Sequence, residues 1–358
     1  MKIGILTFHY AKNYGAVLQT YALLSKIREL GHDVWIINRI PDYTNLLRWL
    51  YHHLSYKHIW GWLRFKQFSR QYLLPKTKLY QTQSSIIKGF PEENFDAVVV
   101  GSDQVWRWNW RMVGLNYFLD FIPQEGVKKI SYAASFGLSE WNDTPQNTAL
   151  IKQLLQSFAK VSVRENTGVE ICKNYFDREA ELVVDPTLLF ARDFYESTLL
   201  KEYPLQENNR IVSIMLSKPK QSIELSRWAK ERGMEHNELS CTYVEEPGLF
   251  WDTIRHLQHI TVQEWLNEIR NAKYVVTNSF HATVFALLFE KPFVVVDLPR
   301  GGSNRIETLL EYVGLENHLV KDVRDIDNVL EQKIDYPSIY AKLDEIRKLS
   351  IGFLKSCF

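Results

Sequence analysis

The chain has 358 residues, 46% of them hydrophobic, with 43 Lys and Arg against 42 Asp and Glu. This length suits two domains, and the near balance of charge excludes the overall basic signature of a nucleic-acid-binding protein. The three cysteines lack metal-site spacing, and no apolar run is long enough for a signal peptide or a membrane span, so we expect a cytoplasmic protein with free thiols.

The first elements predict a βαβ unit, with a buried strand over 2–7, a helix over 17–24 and a second strand over 34–38. The loop between the first strand and the helix is long, polar and aromatic. It lacks the GxGxxG spacing, so a dinucleotide is not indicated. Four residues of this loop either face a ligand or belong to a capped turn that leads into the helix: His9, Asn13, Tyr14 and Gly15.

Residues 43–91 contain eight Lys and Arg and no Asp or Glu, with aromatic residues interleaved. A basic, aromatic, helical stretch is typical of a segment that lies on a membrane surface. The alternative, which we favour, is a pair of inserted helices whose aromatic side chains pack on the core. A third interpretation, intermediate between these two, is a groove that binds an acidic glycan or a lipid diphosphate.

Polar residues follow several buried strands of the first half, where open α/β sheets bind ligands. Ser102, Asp103 and Gln104 follow one strand, and Asp103 would orient a hydroxyl, act as a base or form a turn. Arg164 follows another, where its guanidinium would bind a carboxylate or phosphate, or pair with a neighbouring acid. The strands are predicted over 95–100, 130–134 and 161–163.

A polar linker is predicted over 201–209, followed by a strand over 211–216, and residues 235–259 show no clear pattern. Helices are predicted over 223–232, 261–272, 306–313 and 340–354.

The stretch 274–298 predicts a strand, a helix and another strand, with residues 277–279 capping the helix. His281 then lies in the first helical turn, just beyond a strand end, where a helix N-terminus favours an anion. The loop that follows contains Gly, Ser, Arg300 and Arg305, a composition that suits either an anion-binding loop or a plain surface turn.

Seven motifs together resemble the polysaccharide pyruvyl transferase family. In chain order they read ILTFHYAKNYGAVLQTYAL, FDAVVVGSDQVW, SYAASFG, VSVRENTG, VVDPTLLF, NSFHATVFALLFEKPFVVV and SNRIETLLEYVGL. They cover most of the chain in the expected order, and the set is specific although no single motif is. The resemblance implies an α/β fold of two Rossmann-like domains that face a cleft, GT-B-like, with parallel sheets flanked by helices.

The domains would be 1–200, on the acceptor side with the insert 43–91, and 201–358, on the donor side, with the last helix packing back on the first domain. The implied reaction moves the pyruvyl group of phosphoenolpyruvate to a hydroxyl pair of a polysaccharide or its lipid-linked repeat unit, forming a ketal in exopolysaccharide or capsule biosynthesis. Phosphoenolpyruvate would be a co-substrate, and we expect no other cofactor, no metal ion and no nucleic acid. A lipid-linked acceptor would place the protein at the inner face of the membrane, through 43–91.

The resemblance also implies site residues. His281, in the SFHA motif, matches the family's essential-looking histidine, and Arg164, in VSVREN, matches its phosphoenolpyruvate-binding arginine. Some members have an arginine two residues before the histidine, where this chain has Ser279, so we assign that missing positive charge to Arg305 or Arg300.

The catalytic assignments follow from the chemistry of ketal formation. A histidine titrates near neutrality, so His281 is predicted to be the general acid or a donor to the phosphate. Asp103 or His9 would activate the acceptor hydroxyl. Ser279, together with the arginines, would bind the donor, and the predicted acceptor-binding residues are Asn13, Tyr14, Gly15, Ser102 and Gln104.

Two other functions remain open at this point. One is a glycosyltransferase of the same architecture that uses a nucleotide-sugar donor. The other is a non-catalytic, membrane-associated glycan-binding protein built around residues 43–91.

Overall fold

A computed structural model describes residues 1–41, 56–107, 113–123, 125–216, 219–239, 260–297 and 303–358. Within these ranges, helices connect most of the consecutive strands, and every strand pair is parallel. The prediction of an α/β fold with parallel sheets flanked by helices is confirmed.

The N-terminal sheet has the strand order β2-β1-β3-β4. Bridges from Ile130 to Lys160 and from Ala134 to Val163 join β4 to the pair β5-β6, so the carboxyl ends of β3, β4 and β5 lie along one edge. The strands are β1 (Lys2–Leu6), β2 (Asp33–Ile36), β3 (Ala97–Val100), β4 (Lys128–Ser131), β5 (Ser162–Val163) and β6 (Glu181–Leu182).

The helices of this half cover the sheet. The first begins at Tyr14 because the side chain of Asn13 accepts a hydrogen bond from the backbone N–H of Ala16. The helices are α1 (Tyr14–Glu29), α2 (Tyr56–Tyr72), α3 (Gln83–Gly89), α4 (Pro145–Gln156), α5 (Asn166–Phe176) and α6 (Arg192–Thr198).

The C-terminal sheet has the strand order β11-β10-β9-β7-β8. Its strands are β7 (Arg210–Ile214), β8 (Glu235–Glu238), β9 (Tyr274–Thr277), β10 (Phe293–Val296) and β11 (Leu319–Val320). Its helices are α7 (Pro219–Glu231), α8 (Val262–Asn271), α9 (Phe280–Leu288), α10 (Asn304–Val313), α11 (Asp327–Leu330) and α12 (Tyr336–Cys357). The predicted strand–helix–strand order of 274–298 is confirmed, and β8 lies where the sequence showed no clear pattern.

The last helix, α12, packs on the N-terminal half of the molecule. Ser350 Oγ accepts a hydrogen bond of 3.0 Å from the backbone N–H of Val184, and Arg347 Nε donates one of 2.8 Å to the carbonyl of Leu188. These contacts fix the chain just before and after Asp185, which is the centre of the site described below. The boundary near residue 200 stays a prediction.

The described part of the basic stretch runs from 56 to 91 and includes helices α2 and α3, since residues 42–55 lie outside the described ranges. Its Phe65 and Phe68 are buried in the core, while Arg64 and Arg70 are exposed. In the described parts of the chain, no helix has the length and apolar character needed to span a membrane.

Candidate active site

The carboxyl ends of β3 and β5 and the start of α9 meet at one buried carboxylate. Asp185 Oδ2 accepts a 2.8 Å hydrogen bond from Ser102 Oγ and another from Arg164 Nη1, and it lies 3.7 Å from His281 Nε2. Asp185 Oδ1 accepts from the N–H and the hydroxyl of Thr187, at 2.9 and 2.6 Å. We call these five residues the Asp185 cluster.

Asp185 is charged although it is only 1% exposed. Burial alone would raise the pKa of its carboxyl, but the charges of His281 and Arg164 and the hydrogen bonds it accepts outweigh burial and hold the pKa well below its usual range. The cluster therefore contains a fixed negative charge next to the imidazole.

Arg164 is a buried cation surrounded by acids. Its Nη2 lies 3.5 Å from Asp103 and its Nε 3.9 Å from Glu165, in addition to the pair with Asp185. Burial alone would lower its pKa, but these three carboxylates raise it above the ordinary value. Its Nε and Nη2 make no hydrogen bond, and the ring of Phe280 lies 4.9 Å from the guanidinium carbon. Arg164 is thus electrically compensated, with two nitrogens left to donate.

Asp103 has a left-handed backbone, with φ of 80°. The conformation is held in place because the carbonyl of Asp103 accepts from the N–H of Ser135 at 3.0 Å, and its carboxylate accepts from the N–H of Gln104 at 2.8 Å. Strained backbone of this kind costs about 1–3 kcal/mol and often accompanies functional sites. Gln104 itself accepts a 2.6 Å bond from Arg107.

Arg305 contrasts with Arg164. It lies in the first turn of α10, and within the described ranges it makes no hydrogen bond or salt bridge. Burial, and next the charge of Arg164, lower its pKa to about 10. The charge of Arg305 is therefore not compensated by a salt bridge within the described ranges, and a bound anion would compensate it. Arg300, the other candidate for this role, lies outside the described residues.

A cavity of about 280 Å³ opens between the two halves beside these arginines. Its polar wall contains Arg164, Arg305 and Asp185, and its apolar wall includes Leu188 and Leu309. The cavity lining thus combines two arginines with the carboxylates of Asp185 and Glu311 and with hydrocarbon.

His281 joins the two halves of the molecule. Its imidazole is largely buried between Asp185 and Gly15, the second residue of α1. A Cβ atom on Gly15 would lie 2.0 Å from His281 Nδ1, so only glycine leaves room for the ring. Gly15 was predicted either to face a ligand or to belong to a capped turn, and in the structure the group that lies against it is His281.

The predicted cap of α9 is wrong for Ser279. This N-cap residue makes no side-chain capping bond, and the carboxamide of Asn278 instead accepts from the N–H of Leu216. Ser279 does not occupy the N–H groups of the first turn, so this helix end can donate to an anion.

Two residues of the first loop have structural partners. Tyr14 stacks on Trp265, with ring centroids 5.2 Å apart, and its hydroxyl donates to the carbonyl of Ile260 at 2.9 Å. Asn13 caps α1 through its side-chain oxygen. Their acceptor contacts, like that of the fully buried Ser102, stay predictions.

Both ring nitrogens of His9 face residues outside the Asp185 cluster. His9 follows β1, but its Nε2 faces Asn38 at 3.1 Å, beyond the end of β2, and its Nδ1 faces the carbonyl of Thr7 at 3.2 Å. Burial, and next the charge of Lys76, lower its pKa to about 4. At neutral pH His9 is uncharged and a weaker base than an ordinary histidine, and its catalytic role stays a prediction.

Sequence reasoning missed four residues of the site: Asp185, Thr187, Glu165 and Phe280. Asp185 directly follows two valines within the VVDPTLLF motif, and a carboxylate after a short apolar run was the available signal. Glu165 is fully buried, and its Oε1 accepts from the N–H groups of Phe136 and Gly137 at 2.8 and 3.3 Å. It fixes the loop after β4 against Arg164.

Comparison with solved structures identifies the arrangement of the two halves. The UDP-GlcNAc 2-epimerase from Neisseria meningitidis bound to UDP-GlcNAc has a TM-score of 0.57 and 11% identity, over 99% of this chain and 100% of that one. The Methanocaldococcus jannaschii UDP-GlcNAc 2-epimerase gives 0.53 and 12%, over 98% and 99%. The wall teichoic acid polymerase TagF gives 0.50 and 11%, over 99% and 88%. At such identities the likeness shows the fold alone, and the predicted GT-B-like fold is confirmed.

A search of curated proteins gave no match. A family model, polysaccharide pyruvyl transferase, matches residues 13–298, which include every described member of the Asp185 cluster. The resemblance drawn from the seven motifs is therefore confirmed. The chain belongs to the polysaccharide pyruvyl transferase family and is a transferase.

Proposed function

We propose that this transferase moves the pyruvyl group of phosphoenolpyruvate to two hydroxyls of a saccharide and forms a pyruvate ketal. The observation that carries the proposal is the cavity beside Arg164 and Arg305. At about 280 Å³ it lies near the lower end of small-molecule sites, which run from about 300 to 1,000 Å³. That size suits a three-carbon phosphorylated acid better than a nucleotide sugar.

The charges at the cavity suggest which protein group would bind each part of phosphoenolpyruvate. Arg305 forms no salt bridge among the described residues, and the charges of Glu165 and Asp103 offset only part of the lowering of its pKa, so it would neutralise most of the phosphate or carboxylate charge. Arg164 is compensated by three acids and would contribute Nη2 or Nε as a directed hydrogen-bond donor. The N-terminus of α9 at Ser279 would add N–H groups. The apolar wall would take the methylene group.

In the reaction, His281 would take part in two proton transfers: it gives a proton to the donor and then takes one from the acceptor. Protonated His281 gives its proton to C3 of phosphoenolpyruvate, and C2 becomes an oxocarbenium-like electrophile. The oxygen of the first sugar hydroxyl bonds to C2, and its proton goes to the imidazole. Phosphate then leaves with the electrons of its C–O bond, the second hydroxyl closes the ring, and its proton leaves with the phosphate. Asp103 stays the second candidate for accepting a hydroxyl proton.

The proposal includes a saccharide acceptor carried on a lipid at the inner face of the membrane. Exposed Arg64 and Arg70 on α2, in a stretch that lacks acidic residues, support an attraction to anionic lipid.

Isothermal calorimetry with phosphoenolpyruvate tests the donor. Arg305→Ala removes a cation without leaving a buried acid unpaired, and we expect it to weaken binding about 10- to 100-fold, as for loss of a charged hydrogen bond. The control is Arg324→Ala, an exposed arginine that pairs with Asp322. If the wild type does not bind phosphoenolpyruvate and a nucleotide sugar raises its thermal stability, the glycosyltransferase function would replace this proposal.

We also propose that turnover needs no metal ion, because guanidinium groups and the imidazole can supply the positive charge and the proton. Turnover should be the same in EDTA. A loss of turnover in EDTA that is reversed by added magnesium would contradict this proposal.

A further inference from the structure

The two ring nitrogens of His281 lie in different surroundings. Nε2 is fully buried and without a hydrogen bond, and it faces Asp185 Oδ2 at 3.7 Å. Nδ1 lies over Gly15 in the first turn of α1. Because Nε2 is sealed against the carboxylate, Nδ1 is the nitrogen that a substrate can approach.

Asp185 cannot turn away from the imidazole. Ser102 and Arg164 donate to its Oδ2, and the N–H and hydroxyl of Thr187 donate to its Oδ1, so both oxygens are fixed. A charged carboxylate aimed at Nε2 favours the neutral ring that has its proton on Nε2. The present distance is longer than a hydrogen bond, and contacts of this kind commonly tighten when substrate binds.

The first turn of α1 favours the same tautomer from the other side. A helix N-terminus carries partial positive charge, which favours a lone pair rather than a proton on the adjacent Nδ1. Glycine inside a helix costs about 1 kcal/mol relative to alanine, and here its missing side chain is what admits the ring.

We infer that Asp185 and Gly15 are positioning residues that hold His281 with a proton on Nε2 and present Nδ1 as its working atom. The inference rests on the proposed function. Nδ1 gives its proton to C3 and then takes the proton of the attacking hydroxyl, while Nε2 keeps its proton throughout. The carboxylate of Asp185 stabilises the imidazolium before the first transfer and after the second.

The first test is the tautomer of His281 in the wild-type protein. Long-range proton–nitrogen NMR of protein labelled with ¹⁵N-histidine distinguishes the two forms, and the signals of His281 are those that vanish in His281→Ala. At a pH where the ring is neutral, we expect the proton on Nε2. A proton on Nδ1 overturns the inference. This measurement uses no substrate, so it does not depend on the identity of the donor.

The second test is kinetic and uses a matched pair of glycines. In Gly15→Ala the new Cβ displaces the ring, and we expect kcat to fall about 100-fold, as for a catalytic group misplaced by about 1 Å. Affinity for phosphoenolpyruvate should be unchanged, because both arginines remain. Gly352→Ala is the control, since a Cβ there meets nothing within 4 Å.

An unchanged kcat in Gly15→Ala, or loss of donor affinity in proportion to kcat, overturns the inference. If Gly15→Ala does not fold, the tautomer decides. If wild-type protein does not bind phosphoenolpyruvate, the proposed function fails, while the NMR result still decides how the ring is held.

Discussion

The carboxyl edges of the two sheets differ in how their charges are paired. At the N-terminal edge, Arg164 is surrounded by Asp103, Glu165 and Asp185. At the C-terminal edge, Arg305 has no hydrogen bond or salt bridge within the described ranges, and His281 Nε2 has no hydrogen bond. Both edges belong to parallel sheets of similar strand order, so the difference comes from side chains and not from topology.

The pairing of charges separates the groups that hold the site together from the groups that can bind a ligand. A buried charge is stable when it is paired, and removal of its partner is strongly destabilising. An unpaired, partly buried cation carries a desolvation penalty that a bound anion removes, and the lowered pKa of Arg305, about 10, reflects that penalty. The N-terminal edge therefore serves as scaffold, and the C-terminal edge supplies the free cation and the imidazole.

The largest expected effect is on turnover in His281→Ala. Loss of the group that protonates C3 in the proposed reaction should lower kcat about 1,000-fold or more, within the range for general acid–base groups. The fold and the affinity for phosphoenolpyruvate should persist. His32→Ala is the control, because His32 precedes β2 at the opposite edge of the sheet. Full activity in His281→Ala would break the assignment of the C-terminal edge as the reactive side.

The next effect is on stability, in Arg164→Met. This substitution leaves Asp185 and Glu165 buried without their cation, so we expect the free energy of unfolding to fall by about 3–5 kcal/mol. Arg305→Met, matched in size, should change it by less than about 0.5 kcal/mol. Urea unfolding followed by circular dichroism measures both. Equal losses in the two variants would erase the distinction between paired and unpaired edges.

The fold was predictable where hydrophobic periodicity was strong, as in β9, α9 and β10. The strand β8 was not, because Glu235–Glu238 reads EHNE and has no apolar residue. Among the described strands it lies at the edge of its sheet and pairs only with β7, and such edge strands tolerate charged side chains. Its place in the sheet comes from backbone pairing, which a hydrophobic pattern does not record.

Some individual residues of the site were predictable from the sequence, but the contacts between them were not. His281 and Arg164 were predicted from their positions after strands and from the resemblance, and the structure places both in the Asp185 cluster. Asp185 and Glu165 were missed because their importance lies in contacts across the fold, which no sequence spacing expresses. The same holds for Gly15, whose neighbour His281 comes from the other sheet.

The smallest expected effect concerns His9, which belongs to the packed N-terminal edge. Burial and the charge of Lys76 lower its folded pKa to about 4, against about 6.5 when unfolded. The unfolded chain therefore binds the proton first, so the stability that neutral His9 provides is complete above pH 6.5 and is lost as the pH falls towards 4. Between pH 7 and pH 5 this linkage amounts to about 2 kcal/mol.

In His9→Gln the side chain cannot titrate, so the fall in unfolding free energy between pH 7 and pH 5 should be smaller than in the wild type by that amount. Urea unfolding at the two pH values measures the difference, and the other histidines cancel because both proteins contain them. An identical pH slope in the two proteins would mean that the pKa of His9 is the same in the folded and the unfolded chain. His9 would then be able to take up a proton in the folded state and would be a candidate proton donor, and the contrast between a packed and a reactive edge would weaken.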